Sequence, residues 1–371
     1  SLLINGWQDN GTNIYNGAWN QTMGGDGMLA FISHGNDNNM WGSQYEGSLN
    51  RSTNGGNSWS AANGGITETG AWVTPWIEDP VTANTLWAGF INVYKSTNGG
   101  QSWTKKSTFA NQATLNCIAV SPANNQIVWT AKAGNLYMSS NGGTSWTIIS
   151  NVPSGTITGI TCSNTDQNKA WIVYSGFSNK NKVFQTNDLG TSWINLSGSI
   201  PNIPINCITY LNNSNDALYI GTDVGVFYKD STLSVWQPFS NGLPNVIVTQ
   251  LNVFYPSNKL RASTYGRGMW ESDLYVSGSY PPAAAFGSDK KIDCPGSAIQ
   301  YFDYSSGQPT SWNWTFTGGN PSSSTLQNPL VYYNTPGTYS ATLVAVNSNG
   351  IDIITYTNFI TISSSSVANP S

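Results

Sequence analysis

One eight-residue motif occurs four times between residues 52 and 193, and no other feature limits the fold so tightly. The copies are Ser52-Thr53-Asn54-Gly55-Gly56-Asn57-Ser58-Trp59, Ser96-Thr97-Asn98-Gly99-Gly100-Gln101-Ser102-Trp103, Ser139-Ser140-Asn141-Gly142-Gly143-Thr144-Ser145-Trp146 and Thr186-Asn187-Asp188-Leu189-Gly190-Thr191-Ser192-Trp193. Their tryptophans stand 44, 43 and 47 residues apart, and a degenerate fifth copy ends at Trp236. A repeat of that length is what one four-stranded propeller blade requires. Within each copy, Asn or Asp at the third place (Asn54, Asn98, Asn141, Asp188) can accept backbone N–H groups in an Asx turn. Glycine at the fifth (Gly56, Gly100, Gly143, Gly190) supplies a positive φ. The closing tryptophan (Trp59, Trp103, Trp146, Trp193) then plugs the space beside the turn, so each copy reads as a staple between two outer strands.

Between the copies lie short apolar runs rich in strand-forming residues, such as Cys117-Ile118-Ala119-Val120 and Ile127-Val128-Trp129-Thr130, separated by Ser, Pro, Asn and Gly clusters. No stretch holds a helical period. Residues 26–63, 72–108, 114–150, 156–198 and 205–242 read as complete blades, while 1–25 and 247–275 read as partial ones, about seven positions in all.

The octapeptide resembles the Asp-box, or BNR, repeat of sialidases, xyloglucanases and sortilin-type receptors. The resemblance implies a propeller over 1–276 with the boxes on the blade periphery, away from any ligand, and by itself implies no reaction.

Only 9% of residues are charged and the formal net charge is −4, with no Lys/Arg cluster, so the charge that phosphate binding needs is missing and nucleic acid is not an expected partner. No apolar run is long enough to span a bilayer. The start at Ser1-Leu2-Leu3 reads as a processed or truncated piece of a secreted chain. Four cysteines without a CxxC pair and a single histidine exclude the common zinc frameworks. Cys117 and Cys207 fall at equivalent points two blades apart, Cys162 is out of phase with both, and Cys294 lies beyond the repeats. Four free thiols are therefore expected.

After residue 276 the boxes stop. A linker is expected at 277–282 and a second domain at 283–363, where apolar and polar residues alternate with frequent turns. Its Trp312-Asn313-Trp314-Thr315-Phe316 and Pro336-Gly337-Thr338-Tyr339 segments resemble those of PKD domains, which implies an Ig-like β-sandwich. The acidic loop of that family is here Thr317-Gly318-Gly319, which puts a cation site there in doubt. Residues 364–371 read as a Ser-rich linker toward a missing C-terminal sorting domain. The domain order resembles secreted Bacteroidota cargo of type IX secretion, which implies contact with the secretion machinery of the cell envelope.

The resemblance to sialidases would require three arginines around a carboxylate, and this chain has three in total, with Arg51 beside a box and Arg261 and Arg267 sharing one blade. A xyloglucanase-like hydrolase needs only two carboxylates, for which Asp9 and Asp26 are the first candidates and Asp79 and Asp223 the next. The same Asp9-Asn10-Gly11 and Gly25-Asp26-Gly27 segments also read as plain tight turns. The favoured reading is a non-catalytic secreted or cell-surface module that binds polysaccharide or a surface protein. Trp7, Trp19, Trp41, Trp72 and Trp76, which lie outside the boxes, are its stacking candidates, together with Arg267. A sortilin-like peptide-binding propeller is the other alternative. No cofactor is expected beyond a structural calcium, and Asp230-Ser231-Thr232 fits a short O-glycosylation pattern at Ser231.

Overall fold

The computed structural model describes residues 2–177, 180–276, 282, 284–305 and 309–364. The expected linker, apart from Pro282, and the end of the Ser-rich tail lie outside the described residues. Strands come as short meanders. A three-stranded sheet is built from β1 (Leu3–Trp7), β2 (Gly11–Tyr15) and β3 (Trp19–Met23). Four-stranded sheets follow: β4 (Ala30–Ile32), β5 (Met40–Ser43), β6 (Leu49–Ser52) and β7 (Ser60–Ala61), then β8 (Trp76–Glu78), β9 (Leu86–Gly89), β10 (Val93–Ser96) and β11 (Thr104–Lys105). The third has β12 (Cys117–Val120), β13 (Val128–Lys132), β14 (Asn135–Ser139) and β15 (Thr147–Ile149), and the fourth β16 (Ile157–Cys162), β17 (Ala170–Tyr174), β18 (Val183–Thr186) and β19 (Ile194–Asn195). The fifth repeat supplies β20 (Ile205–Tyr210), β21 (Leu218–Thr222), β22 (Gly225–Lys229) and β23 (Gln237–Pro238), and the last repeat segment β24 (Val248–Phe254), β25 (Lys259–Thr264) and β26 (Gly268–Asp273).

The chain divides into two compact units, one of Ser1–Asp223 with Asp230–Thr232 and Val248–Asn252, the other of the remainder. In the first, each sheet buries its second strand most deeply. Trp41, Trp87, Trp129 and Trp171 hold the second place of β5, β9, β13 and β17, and each is at most 1% exposed. This second tryptophan repeat, written in the sequence as a large apolar residue a few places after an Asn-rich turn, forms the layer between neighbouring sheets. The flanking aliphatic residues complete it, as in the cluster of Trp129, Ile160, Ile172 and Phe184.

The boxes bond as the sequence predicts. The third-place oxygen accepts the seventh-place N–H at 3.0 Å in the first two copies (Asn54, Asn98), 2.9 Å at Asn141 and 2.8 Å at Asp188. The first-place hydroxyl accepts the N–H of the fifth-place glycine in all four. Those glycines have φ between 81° and 87°. The tryptophans do more than fill the turn. Trp103 Nε1 donates to the Ala62 carbonyl (2.7 Å), Trp146 Nε1 to that of Lys106 (2.8 Å) and Trp59 Nε1 to Thr22 Oγ1 (3.3 Å), each in the preceding sheet. Each box thus joins the two outer strands of its own sheet, as expected. Its tryptophan also ties that sheet to the one before it, by a hydrogen bond in the first three copies and by the packing of Trp193 on Trp129 in the fourth.

In the second unit, β27 (Phe286–Ser288), β29 (Ser297–Asp303) and β32 (Leu330–Tyr333) form one sheet. The other holds β28 (Ile292–Asp293), β30 (Ser311–Phe316), β31 (Ser323–Ser324), β33 (Gly337–Asn347) and β34 (Gly350–Ile362). Period-two alternation sends Trp314 and Phe316 of β30 inward onto Phe286, Tyr301, Tyr333 and Leu343. The Tyr301 and Tyr333 hydroxyls satisfy each other at 2.8 Å inside this core, and Trp314 Nε1 donates to the Leu326 carbonyl. All four cysteines are free. Burial pushes the thiols of Cys117, Cys162 and Cys207 up to about 12.

Candidate functional site

In an antiparallel four-stranded meander, the turns after the first and third strands leave one edge of the sheet. The turn after the second strand and the link to the next sheet leave the other. The box is a third-turn motif, so it defines one edge, and the opposite edge is free of boxes. Tyr45 lies between β5 and β6 and Trp72 between β7 and β8, both on the box-free edge. Their rings stack at 5.3 Å between centroids with 15° between planes, and they are 46% and 51% exposed.

The two loops that carry this pair are tied together. Gly70 N–H donates to the Glu46 carbonyl (3.0 Å), and Glu46 N–H to the Trp72 carbonyl (3.4 Å). A Cβ on Gly47 would stand 2.3 Å from Phe90 Cε1, and one on Gly70 would stand 2.2 Å from Thr74 Oγ1, so both places need glycine. Glu46 itself holds a φ of 56°, an uncommon conformation for a residue with a side chain. The stack is thus an exposed aromatic surface on a tightly packed base, with Val73 exposed beside it. Tyr45 had no signal in the sequence, because a lone tyrosine in a Gln-Tyr-Glu-Gly turn is not distinguished from any other.

Next to it on the same edge a polar network fixes the second and third sheets. Buried Asn92 donates through Nδ2 to Glu68 Oε1 (2.8 Å), and its Oδ1 accepts Phe109 N–H (2.7 Å) and the Ser107 hydroxyl (3.2 Å). Glu68 Oε1 also pairs with Lys105 Nζ at 2.9 Å. Burial pushes the Glu68 carboxyl up, but the bonds from Lys105 and Asn92 together outweigh it and hold the group below its ordinary value of 4.5. Lys132, fully buried, gives Nζ bonds to the carbonyls of Ile91 and Asn111.

The other stacking candidates separate. Trp41 and Trp76 are corrected: they are 1% and 0% exposed, Trp41 Nε1 is bonded to the Gly99 carbonyl (3.1 Å), and Phe31 packs its ring against both. Neither offers an open ring face for a sugar to stack on. Trp7 is half-buried with Trp19 against it at 5.0 Å, and Trp19 is exposed. Arg267 is exposed in the β25–β26 turn, where its carbonyl accepts Trp270 Nε1.

The candidate carboxylates are engaged in turns. Asp26 Oδ1 accepts the N–H of Asp9 (2.8 Å), while the N–H groups of Asn10 and Gly27 share the Trp7 carbonyl. A Cβ on Gly27 would stand 2.1 Å from the Gly11 carbonyl oxygen, so the two segments form one packed turn. Asp79 is fully buried, with Oδ1 accepting Val81 N–H, Thr82 N–H and Asn125 Nδ2, and Oδ2 accepting Trp87 Nε1. Asp223 Oδ1 accepts Asn206 Nδ2. Ser231 is exposed beside Thr232, whose hydroxyl donates to Asp230 Oδ1. Among the described residues no group of three or more His, Cys, Asp or Glu is placed to hold a metal ion. No helix among them is long and apolar enough to cross a membrane.

The chain is thus an all-β protein that joins an Asp-box propeller to a PKD-type β-sandwich. Residues 91–229 match the family of sortilin, neurotensin receptor 3, and residues 279–362 match the PKD domain. No curated protein matches the chain. Among solved structures it is similar to the extracellular domain of a hybrid two component system from B. thetaiotaomicron (12% identity, TM-score 0.60, covering 96% of this chain and 53% of that one). It is also similar to the GH74 xyloglucanase from Xanthomonas campestris (10%, 0.59, 95% and 64%). PorZ, a surface component of the type-IX secretion system of Porphyromonas gingivalis, is similar too (12%, 0.53, 96% and 57%). The chain spans about half to two thirds of these structures, and at such identity the likeness is one of fold.

Proposed function

We propose that the chain is a non-catalytic recognition module of a secreted or cell-surface protein, and that it binds polysaccharide through the box-free edge of its propeller. The observation that carries this reading is the Tyr45–Trp72 stack, two large rings left in water on loops that are otherwise closely packed. Sugar rings present flat C–H faces, and an aromatic surface held rigid beforehand binds them with little ordering cost. The engagement of Asp26 and Asp79 in backbone and side-chain bonds supports binding over hydrolysis. Peptide capture by the same edge is a second reading, supported by the sortilin-family match over 91–229. Docking to the secretion machinery of the cell envelope belongs to the same class of surface recognition.

Affinity electrophoresis in gels containing plant or bacterial polysaccharides tests the proposal. Trp72→Ala should release the retarded band by about tenfold in affinity, the worth of one aromatic contact. Ile148→Ala, which removes an exposed apolar side chain from the outer strand β15, should not. Equal retardation of both variants would remove the stack from the binding site.

A further inference from the structure

The residue paired across the sheet from each second-strand tryptophan is Arg51, Lys95, Met138 and Gln185 in the four successive sheets. In the second sheet a carboxylate lies close to the cation. Lys95 Nζ sits 4.3 Å from the centre of the Trp87 ring, and Trp87 Nε1 is bonded to the buried Asp79 carboxylate; burial pushes the Lys95 ammonium down, and the Asp79 charge offsets part of that. In the first sheet the position of Asp79 belongs to Ser33. Both donate their N–H to the carbonyl of the residue just before the second strand, Asp79 to Thr85 and Ser33 to Asn39. Ser33 brings no charge, and its hydroxyl is spent on Glu78 Oε1.

Arg51 is left without that partner. Among the described residues its guanidinium makes no ion pair and no hydrogen bond, and its Nε is shut off from solvent with nothing to donate to. The Nε is closed off even to a ligand, so the terminal guanidinium nitrogens, which are not shut off in this way, are the donors left to a partner from solvent. Arg51 lines a cleft of about 230 Å³ between the first and second boxes, with Thr53 on its own side and Asn84, Thr97 and Asn98 on the other. The space holds roughly seven waters, room for an acid group and the ring that carries it.

We propose that this cleft binds an oxyanion, a carboxylate or sulfate group, which supplies to Arg51 the negative charge that Asp79 supplies within the second sheet. The planar guanidinium gives two parallel N–H donors to such a group, and the Thr53 and Thr97 hydroxyls can complete its shell. The site stands apart from the aromatic edge, since it is formed by the boxes, and does not depend on the reading of that edge.

Isothermal titration at constant ionic strength, with sodium sulfate and sodium glucuronate as separate probes, tests it. One saturable site is expected, lost in R51Q and kept in K95Q. R51K, which keeps the charge but not the fork, should weaken binding by about tenfold and serves if R51Q fails to fold. Tighter binding of glucuronate assigns a sugar-borne acid, and tighter binding of sulfate a free inorganic ion. The absence of saturable binding by both probes would overturn the proposal, as would an Arg51 variant that binds as tightly as the parent.

Discussion

If the boxes join neighbouring sheets, a methyl group added at the joint must cost more than the same methyl added to a free turn with the same backbone. Gly143 and Gly134 allow the comparison within one sheet, since their φ values are 81° and 78°. Alanine in that region costs about 1–2 kcal/mol at either place. At Gly134 the new Cβ meets only the Gly155 carbonyl oxygen at an ordinary 3.5 Å. At Gly143 it meets Lys106 Cβ at 3.1 Å and Trp87 Cζ3 at 3.2 Å, both in the preceding sheet. Overpacking there adds about 1–3 kcal/mol. Gly143→Ala should therefore lose roughly 2–5 kcal/mol and Gly134→Ala only the first part, near 1–2 kcal/mol. Urea unfolding followed by tryptophan fluorescence reads the difference, with equal m-values required for the comparison. Equal losses would refute the view that the box packs against its neighbour.

Asn92→Ala should cost about 2–4 kcal/mol in the same assay, because it strands the Phe109 N–H and part of the Glu68 carboxylate away from water. A loss within 0.5 kcal/mol or so, the usual range for surface changes, would show that the network is replaced by solvent. Acid stability follows from Glu68 and Asp188. The bonds from the Ser192 hydroxyl and N–H hold the Asp188 carboxyl below its ordinary 3.8. Both folded-state values lie below the unfolded ones, so their contribution is whole above about pH 4.5 and drains as pH falls through the folded values. Asp188→Asn, the residue the first three boxes carry, should flatten the acid limb of the stability curve; an unchanged limb would remove the box from the account. Thiol titration should find Cys117, Cys162 and Cys207 unreactive in the native chain at pH 8 and all four cysteines reactive in denaturant, since burial pushes those three to about 12. Rapid native labelling of Cys117 would contradict the packing described.

The repeat was legible because the box spends its residues on local backbone geometry: a hydroxyl, an Asx oxygen and a positive-φ glycine act within eight residues of one another. The PKD-type sandwich was legible for a similar reason, since the alternation in Trp312–Phe316 reports which side chains face inward. The role of a tryptophan was not, because the same residue type in a strand serves as core or as surface. Trp41 and Trp72 read alike in sequence, and what separates them is the next sheet, which covers one with Gly99 and leaves the other bare. The box-free edge, Tyr45 and the unpartnered Arg51 all depend on which turn faces which way. That follows from the order of strands rather than from any one segment. The second-strand tryptophans had a usable signal in their spacing, at 41, 87, 129 and 171, which follows the box period.

The most direct test of the account is a glycan-array screen of the intact chain beside the Trp72→Ala variant, with release of reducing sugar measured on the same polysaccharides. The account predicts binding that Trp72→Ala weakens by about tenfold and no hydrolysis. Release of sugar that disappears in Asp9→Asn or Asp26→Asn would contradict it and make the packed turn a catalytic one.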